Sequence, residues 1–140
     1  MDKTMLFLII CTLLLVGLIL VKPKKAIASP AFNTYNCVRA IIGEASGEDY
    51  LGMLAVAVGL RNRGTLQGVY GLYAKHIDNE PDYIWGQAAE AWIESERNRI
   101  HDGNYWGSKT VDKKWVGKME AEGFVKVYEY KNHVFYKEGK

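Results

Sequence analysis

TYNCVRAIIGEASGEDYLGMLAVAVGLRNR, residues 34–63, is the stretch whose reading decides the fold. Asn33 or Thr34 can cap a first helix running from Thr34 to Ala45, because a side-chain oxygen at that position accepts from the free N–H groups of the first turn. Val38, Ile41 and Ile42 fall at helical spacing within it. Ser46 and Gly47 interrupt the pattern, both being residue types that favour turns over helix interiors. A second helix follows over 48–63, with Leu51, Leu54, Ala55 and Val58 at i, i+3, i+4 and i+7. Gly64 is its natural stop, since glycine enters the left-handed conformation without steric cost.

Downstream, Asp82 is expected to cap a third helix with Trp85, Ala88, Ala89, Trp92 and Ile93 as its apolar stripe. Arg97 and Arg99 would oppose the dipole at its C-terminal end, and the helix would pack on the second. Residues 65–80 mix glycines and aromatics without a clear period. Gly, Asn, Asp and aromatics over 101–110 suggest an irregular loop. A short helix is expected over 112–122, ending at Gly123. Residues 124–130 and His133–Lys137 are rich in Val, Tyr and Phe and read as a terminal hairpin turning at Lys131-Asn132. The chain is therefore expected to be mainly α, of the α+β class, with one monomeric domain over residues 29–140. No repeat or low-complexity tract divides it.

Upstream, residues 4–21 form an uncharged run rich in Leu and Ile, followed by Lys22-Pro23-Lys24-Lys25 and then Ala26-Ile27-Ala28-Ser29. Ala26 and Ala28 fit the small-x-small pattern of a signal-peptidase site, so residues 1–28 read as an export segment cleaved before Ser29. An uncleaved membrane anchor is the other reading. The run is long enough to span a bilayer, and positive charge is denser after it than before it. Cys11 does not mark a lipoprotein, because Ile10 stands where a small residue is needed. Without the leader only Cys37 remains, so no internal disulfide can form. Residues 29–140 then carry 14 basic and 15 acidic side chains. That balance lacks the positive field of a nucleic-acid binder. Any membrane contact would run through the N-terminal segment alone.

Ordinary catalytic signatures are missing from the body. His76, His101 and His133 show neither the i, i+4 pairing nor the nearby cysteines of a zinc site, so no metal is expected. Gly43-Glu44-Ala45-Ser46-Gly47 has its serine displaced from the middle of a nucleophile elbow, and no strand precedes it. Neither a phosphate-binding lysine loop nor a dinucleotide fingerprint occurs, so no cofactor is implied.

What remains is Glu44, which follows Ile41-Ile42 in the final turn of the first helix. Apolar neighbours and the negative end of the helix dipole both disfavour ionisation of a carboxyl group so placed. An acid that keeps its proton near neutrality is what glycosidic cleavage needs to protonate the departing oxygen. By position alone, a glutamate at a helix end is more often an exposed side chain.

The run Ile42-Gly43-Glu44-Ala45-Ser46-Gly47-Glu48, followed by Gly52, Ala55-Val56-Ala57 and Asn62-Arg63, resembles the SleB-type cell wall hydrolase family of spore-cortex-lytic enzymes. Ala88-Ala89-Glu90-Ala91-Trp92 and His133-Val134-Phe135-Tyr136 look like its later segments, so the resemblance spans most of residues 36–137. The chain departs from the pattern at Gly64 and over 103–109. The resemblance implies a small lysozyme-like helical domain with Glu44 as catalytic acid and base. It also implies lytic transglycosylase or muramidase-like action on the bond between N-acetylmuramic acid and N-acetylglucosamine in peptidoglycan glycan strands, outside the cytoplasm. The setting would be spore cortex, vegetative wall or phage lysis.

Weaker candidates stand around Glu44. Glu48 would line the same cleft or serve the first turn of the second helix. Tyr105, Trp106, His133 and Tyr136 would offer sugar-stacking faces and polar tips, or else belong to the core. Asn62 and Arg63 are expected to anchor by hydrogen bonds rather than touch substrate. A hydrolytic route would need a further base, with Glu48 or Asp49 nearest in sequence. The rival function is a membrane-anchored peptidoglycan-binding or assembly module without activity.

Overall fold

The computed structural model describes residues 28–140 together with Asp2, so the apolar run of the leader lies outside the described residues. No described helix is long and apolar enough to cross a membrane. Among the described residues the order is α1 (Thr34–Ala45), α2 (Tyr50–Arg63), two 3₁₀ turns (Tyr70–Tyr73 and Ile77–Asn79), α3 (Asp82–Glu94), β1 (Tyr105–Ser108), α4 (Lys113–Ala121), β2 (Val125–Tyr130) and β3 (His133–Lys137). This is a small, mainly helical α+β domain.

Asn33 is the cap of α1, its Oδ1 accepting from the Asn36 N–H at 2.9 Å. Asp49, rather than Glu48, caps α2 by accepting from the Gly52 N–H at 3.2 Å. Gly64 ends α2 with φ of 69°, and its N–H reaches Leu60 O. The apolar stripe expected on α2 is only part of what is buried: every residue from Gly52 to Leu60 is covered, while Leu51 is exposed. A helix apolar on all sides must be surrounded, and α1, α3 and β1 pack around this one.

At α3 three expectations are corrected. Pro81 occupies the cap position and Asp82 is the first helical residue, making no side-chain cap bond. The helix ends at Glu94, so Arg97 and Arg99 lie beyond it. The cation at its C-terminus comes from α2 instead: Arg61 Nη2 donates to Trp92 O and Nε to Ser95 Oγ, both at 2.6 Å. The Arg61 guanidinium also lies 3.8 Å from the centre of the Trp92 ring. Ile93 is exposed rather than part of the buried stripe.

The terminal hairpin turns at Lys131-Asn132, with Lys131 at φ 49°. It gains a third strand, because part of the expected loop forms β1 and the antiparallel order is β1-β3-β2. Central β3 is buried on both faces, as the alternation of side chains requires. Phe135 joins the helical core, whereas Val134 and Tyr136 form a second small core with Met119 under α4.

Candidate functional site

Glu44 sits on the penultimate residue of α1, and its place is set by two glycines. A Cβ on Gly43 would overlap Gly71 O, and a Cβ on Gly71 would come within 2.5 Å of Glu44 Cγ. Because neither position carries a side chain, the turn Tyr70–Tyr73 lies directly on the end of α1. There the Gly71 N–H donates to Glu44 Oε1 at 2.9 Å. Glu44 Oε2 has no hydrogen-bond partner among the described residues, and the side chain is half-buried. One oxygen is thus fixed by the backbone.

Glu44 lines a cleft of about 410 Å³. Tyr105 and Trp106 of β1 line it as well, together with Tyr70, Trp115, Arg63 and Asp112. The Trp106 ring also lies against Gly59 of α2, which ties the strand to the helical core while part of the residue faces the cleft. Three of the residues singled out in the sequence, Glu44, Tyr105 and Trp106, are therefore brought together.

Glu48, His133 and Tyr136 belong elsewhere. Glu48 Oε1 and His133 Nδ1 form a pair at 2.7 Å, with side chains only 12% and 10% exposed, and Glu48 Oε2 is buried without a partner. Beside them Asp49 Oδ2 accepts from Tyr130 Oη at 2.7 Å and Lys131 Nζ at 2.9 Å. The tyrosine hydroxyl first, and then the lysine, hold Asp49 at about 2. This group fastens the hairpin to the start of α2. Tyr136 is wholly buried and donates to Glu120 Oε1 at 3.0 Å; burial, then that carboxylate, pushes its hydroxyl up to about 12. It presents no face to a sugar. The reason is that α4 covers the face of β3 on which Tyr136 lies.

The Asn62-Arg63 end of α2 shapes the opposite wall. Asn62 Nδ2 donates to His101 O and Gly103 O, at 3.1 and 2.9 Å, while its Oδ1 accepts from Arg99. Arg63 donates to Gln67 O at 2.6 Å and Asn104 O at 3.3 Å. These bonds tie the end of α2 to the segment leading into β1 and to the loop after α2. His101 lies beneath, its ring nitrogens meeting Ala55 O at 2.8 Å and the Gly103 N–H at 3.1 Å. The Gly103 N–H needs a lone pair on Nδ1, so the proton sits on Nε2 and the ring is neutral. Burial pulls this imidazole below its ordinary value.

Asp112, Arg63, Tyr70 and Trp115 are cleft residues that the sequence did not single out as such. Asp112 precedes α4, and its Oδ2 accepts from the Ser108 N–H at 2.8 Å. It supplies a second carboxylate to the cleft, a role its place at a helix start does not advertise. Trp115 packs on Gly107 of β1 and edge-on to Tyr136. The arrangement offers a carboxyl group for proton transfer, a second carboxylate and a largely aromatic enclosure. Comparison of the chain with family models, with curated proteins and with solved structures finds no match.

Proposed function

We propose that this chain cleaves the glycan strands of peptidoglycan between N-acetylmuramic acid and N-acetylglucosamine, with Glu44 as the proton-transferring group. One observation carries the reading: Glu44 presents a carboxyl oxygen without a hydrogen-bond partner among the described residues in a cleft walled by Tyr70, Tyr105, Trp106 and Trp115, while the Gly71 N–H holds its other oxygen. Aromatic walls suit a pyranose, whose C–H face is apolar and whose rim is polar. The resemblance of residues 42–63 to SleB-type enzymes agrees with it.

In this reading Glu44 donates its proton to the bridging oxygen as the glycosidic bond breaks. The muramyl 6-hydroxyl then attacks the anomeric carbon and gives its proton to the Glu44 carboxylate, closing a 1,6-anhydro ring. One residue serves both steps, and neither a cofactor nor a metal is needed. The substrate lies outside the cytoplasmic membrane, and the leader at 1–28 would deliver the domain there.

Asp112 favours a hydrolytic variant of the same cleavage. It shares the cleft, whereas Glu48 and Asp49 are engaged with His133 and with Tyr130 and Lys131. A carboxylate so placed would take the proton of an attacking water. Mass spectrometry of fragments released from purified peptidoglycan tests both routes. Transglycosylation leaves anhydromuramyl ends, and hydrolysis gives products about 18 Da heavier by the added water. Release of no fragments by folded protein, with peptidoglycan binding retained, would favour the inactive binding module.

A further inference from the structure

The four residues of the turn Tyr70–Tyr73 divide their work unequally. Leu72 enters the core and Gly71 meets Glu44, whereas Tyr70 and Tyr73 are 83% and 65% exposed. Neither tyrosine hydroxyl has a hydrogen-bond partner among the described residues, so the fold makes no use of these rings. A 3₁₀ helix has three residues per turn and a rise of about 2 Å, which places positions i and i+3 on the same side, about 6 Å apart along the axis. Tyr70 lines the Glu44 cleft. Tyr73 lines a second hollow, about 470 Å³, which it shares with Tyr35 and Arg39.

Tyr35 is 61% exposed yet held in place. Its ring stacks on Trp85 at 6.1 Å with 20° between the planes. The Arg39 guanidinium lies 5.8 Å from the Tyr35 ring centre and 5.9 Å from that of Trp85. Asp78 fixes the guanidinium at 2.6 Å. Rigid rings of this kind lose little freedom on binding.

We propose that Tyr70 and Tyr73 form a stacking ledge carrying the glycan strand out of the Glu44 cleft toward Tyr35, a binding site for saccharide units beyond the bond being cleaved. The inference rests on the glycan-cleaving reading. The occupant is a glycan because Tyr70 belongs both to the cleft wall and to the ledge, and Tyr73, three residues on in the same turn, lines the next hollow beside Tyr35. Aromatic faces with phenolic tips match the apolar face and hydroxyl rim of successive sugars. Gly71 stands between the two tyrosines, so the segment that orients the acid also bears the ledge.

The test uses the full chain carrying E44Q, so that turnover does not consume the ligand. Binding is measured to purified peptidoglycan sacculi by pelleting, and to a disaccharide and an octasaccharide of the glycan repeat by calorimetry. The parent should bind the octasaccharide more tightly than the disaccharide. Adding Y70A and Y73A should weaken octasaccharide binding about tenfold and abolish that length dependence, as loss of two stacking faces implies. Y70F with Y73F, which keeps both rings, should retain it. Thermal unfolding checks the fold, and Y73S alone serves if the double alanine variant does not fold. Equal binding by parent and alanine variants overturns the ledge while leaving the cleft reading intact. A parent that binds neither sacculi nor octasaccharide overturns the glycan reading and the ledge with it. Self-association lost in the alanine variants, with glycan binding unchanged, assigns the rings to a second copy and also overturns the proposal.

Discussion

Glu44 and Glu48 flank the same short break between α1 and α2, and the fold gives them opposite surroundings. Glu44 faces a cleft, with one oxygen on a backbone N–H and the other without a partner among the described residues. Glu48 is turned beneath the hairpin, pinned to His133 and almost closed to solvent. A carboxylate committed to a buried partner contributes to holding elements together, and breaking such a pair is costly. One that is fixed through a single oxygen beside open space is positioned for proton transfer. Under the proposed function, the contrast separates a chemical site from a structural joint within one sequence motif.

The largest expected effect is at Glu44. Glu44→Gln keeps shape and hydrogen bonding but cannot carry the proton, so release of peptidoglycan fragments should fall by about 10²–10⁴-fold. The unfolding midpoint should stay near that of the parent. A folded variant with near-normal turnover would erase the distinction between the two glutamates.

Gly71→Ala sharpens the same side of the comparison. The added methyl would fall within 2.5 Å of Glu44 Oε1 and displace the flexible carboxylate rather than the core. Turnover should drop roughly 10–100-fold, as misplacement of a reacting group commonly costs. Unaltered kcat would mean that the Gly71 contact does not orient the acid.

Glu48→Ala addresses the joint. It leaves His133 buried without its partner, at an expected cost of roughly 1–3 kcal/mol in urea unfolding. Glu48→Gln, which keeps a hydrogen bond to the imidazole, should cost less. Activity measured well below the unfolding midpoint should change little in either variant. A large loss of turnover with unchanged stability would move Glu48 to the chemical side.

The smallest effect concerns the scaffold beneath both. His101 is neutral in the fold and resists protonation, whereas in the unfolded chain it takes a proton near pH 6.5. The unfolded state therefore binds more protons below that pH. Stability should be fully present above about pH 6.5 and decline as pH falls, by at most about 1.4 kcal/mol per unit. Unfolding curves at pH 7.5 and pH 5 would detect this, and His101→Gln should flatten the dependence. An identical slope in that variant would assign the effect to other groups.

Local signals accounted for the regular elements. Caps, apolar spacing and the stop at Gly64 delimit α1 and the end of α2, and the Val- and Tyr-rich runs delimit the hairpin. Residues 65–80 looked aperiodic because a helical period of 3.6 does not fit them. Leu66, Val69 and Leu72 are buried at intervals of three, the spacing of tight 3₁₀ turns. β1 was hidden for another reason: Tyr105 and Trp106 favour strands, but Gly103, Asn104 and Gly107 around them do not, and the segment forms a strand only through pairing with β3.

The sequence by itself determined that this is one small, mainly helical domain with a terminal hairpin, and that Glu44 belongs at the end of its first helix. These are matters of neighbouring residues, decided by capping, period and glycine conformation. Only the tertiary structure decided which side chains keep Glu44 company. Gly71 meets Glu44 directly, Arg63, Tyr105, Trp106 and Asp112 reach the cleft from other elements, and Tyr136 and His133 leave the candidate site because α4 covers the one and Glu48 engages the other. Spacing along a chain constrains only groups on the same element. Contacts between elements depend on how each buries its apolar face, and that is settled by packing of the whole domain.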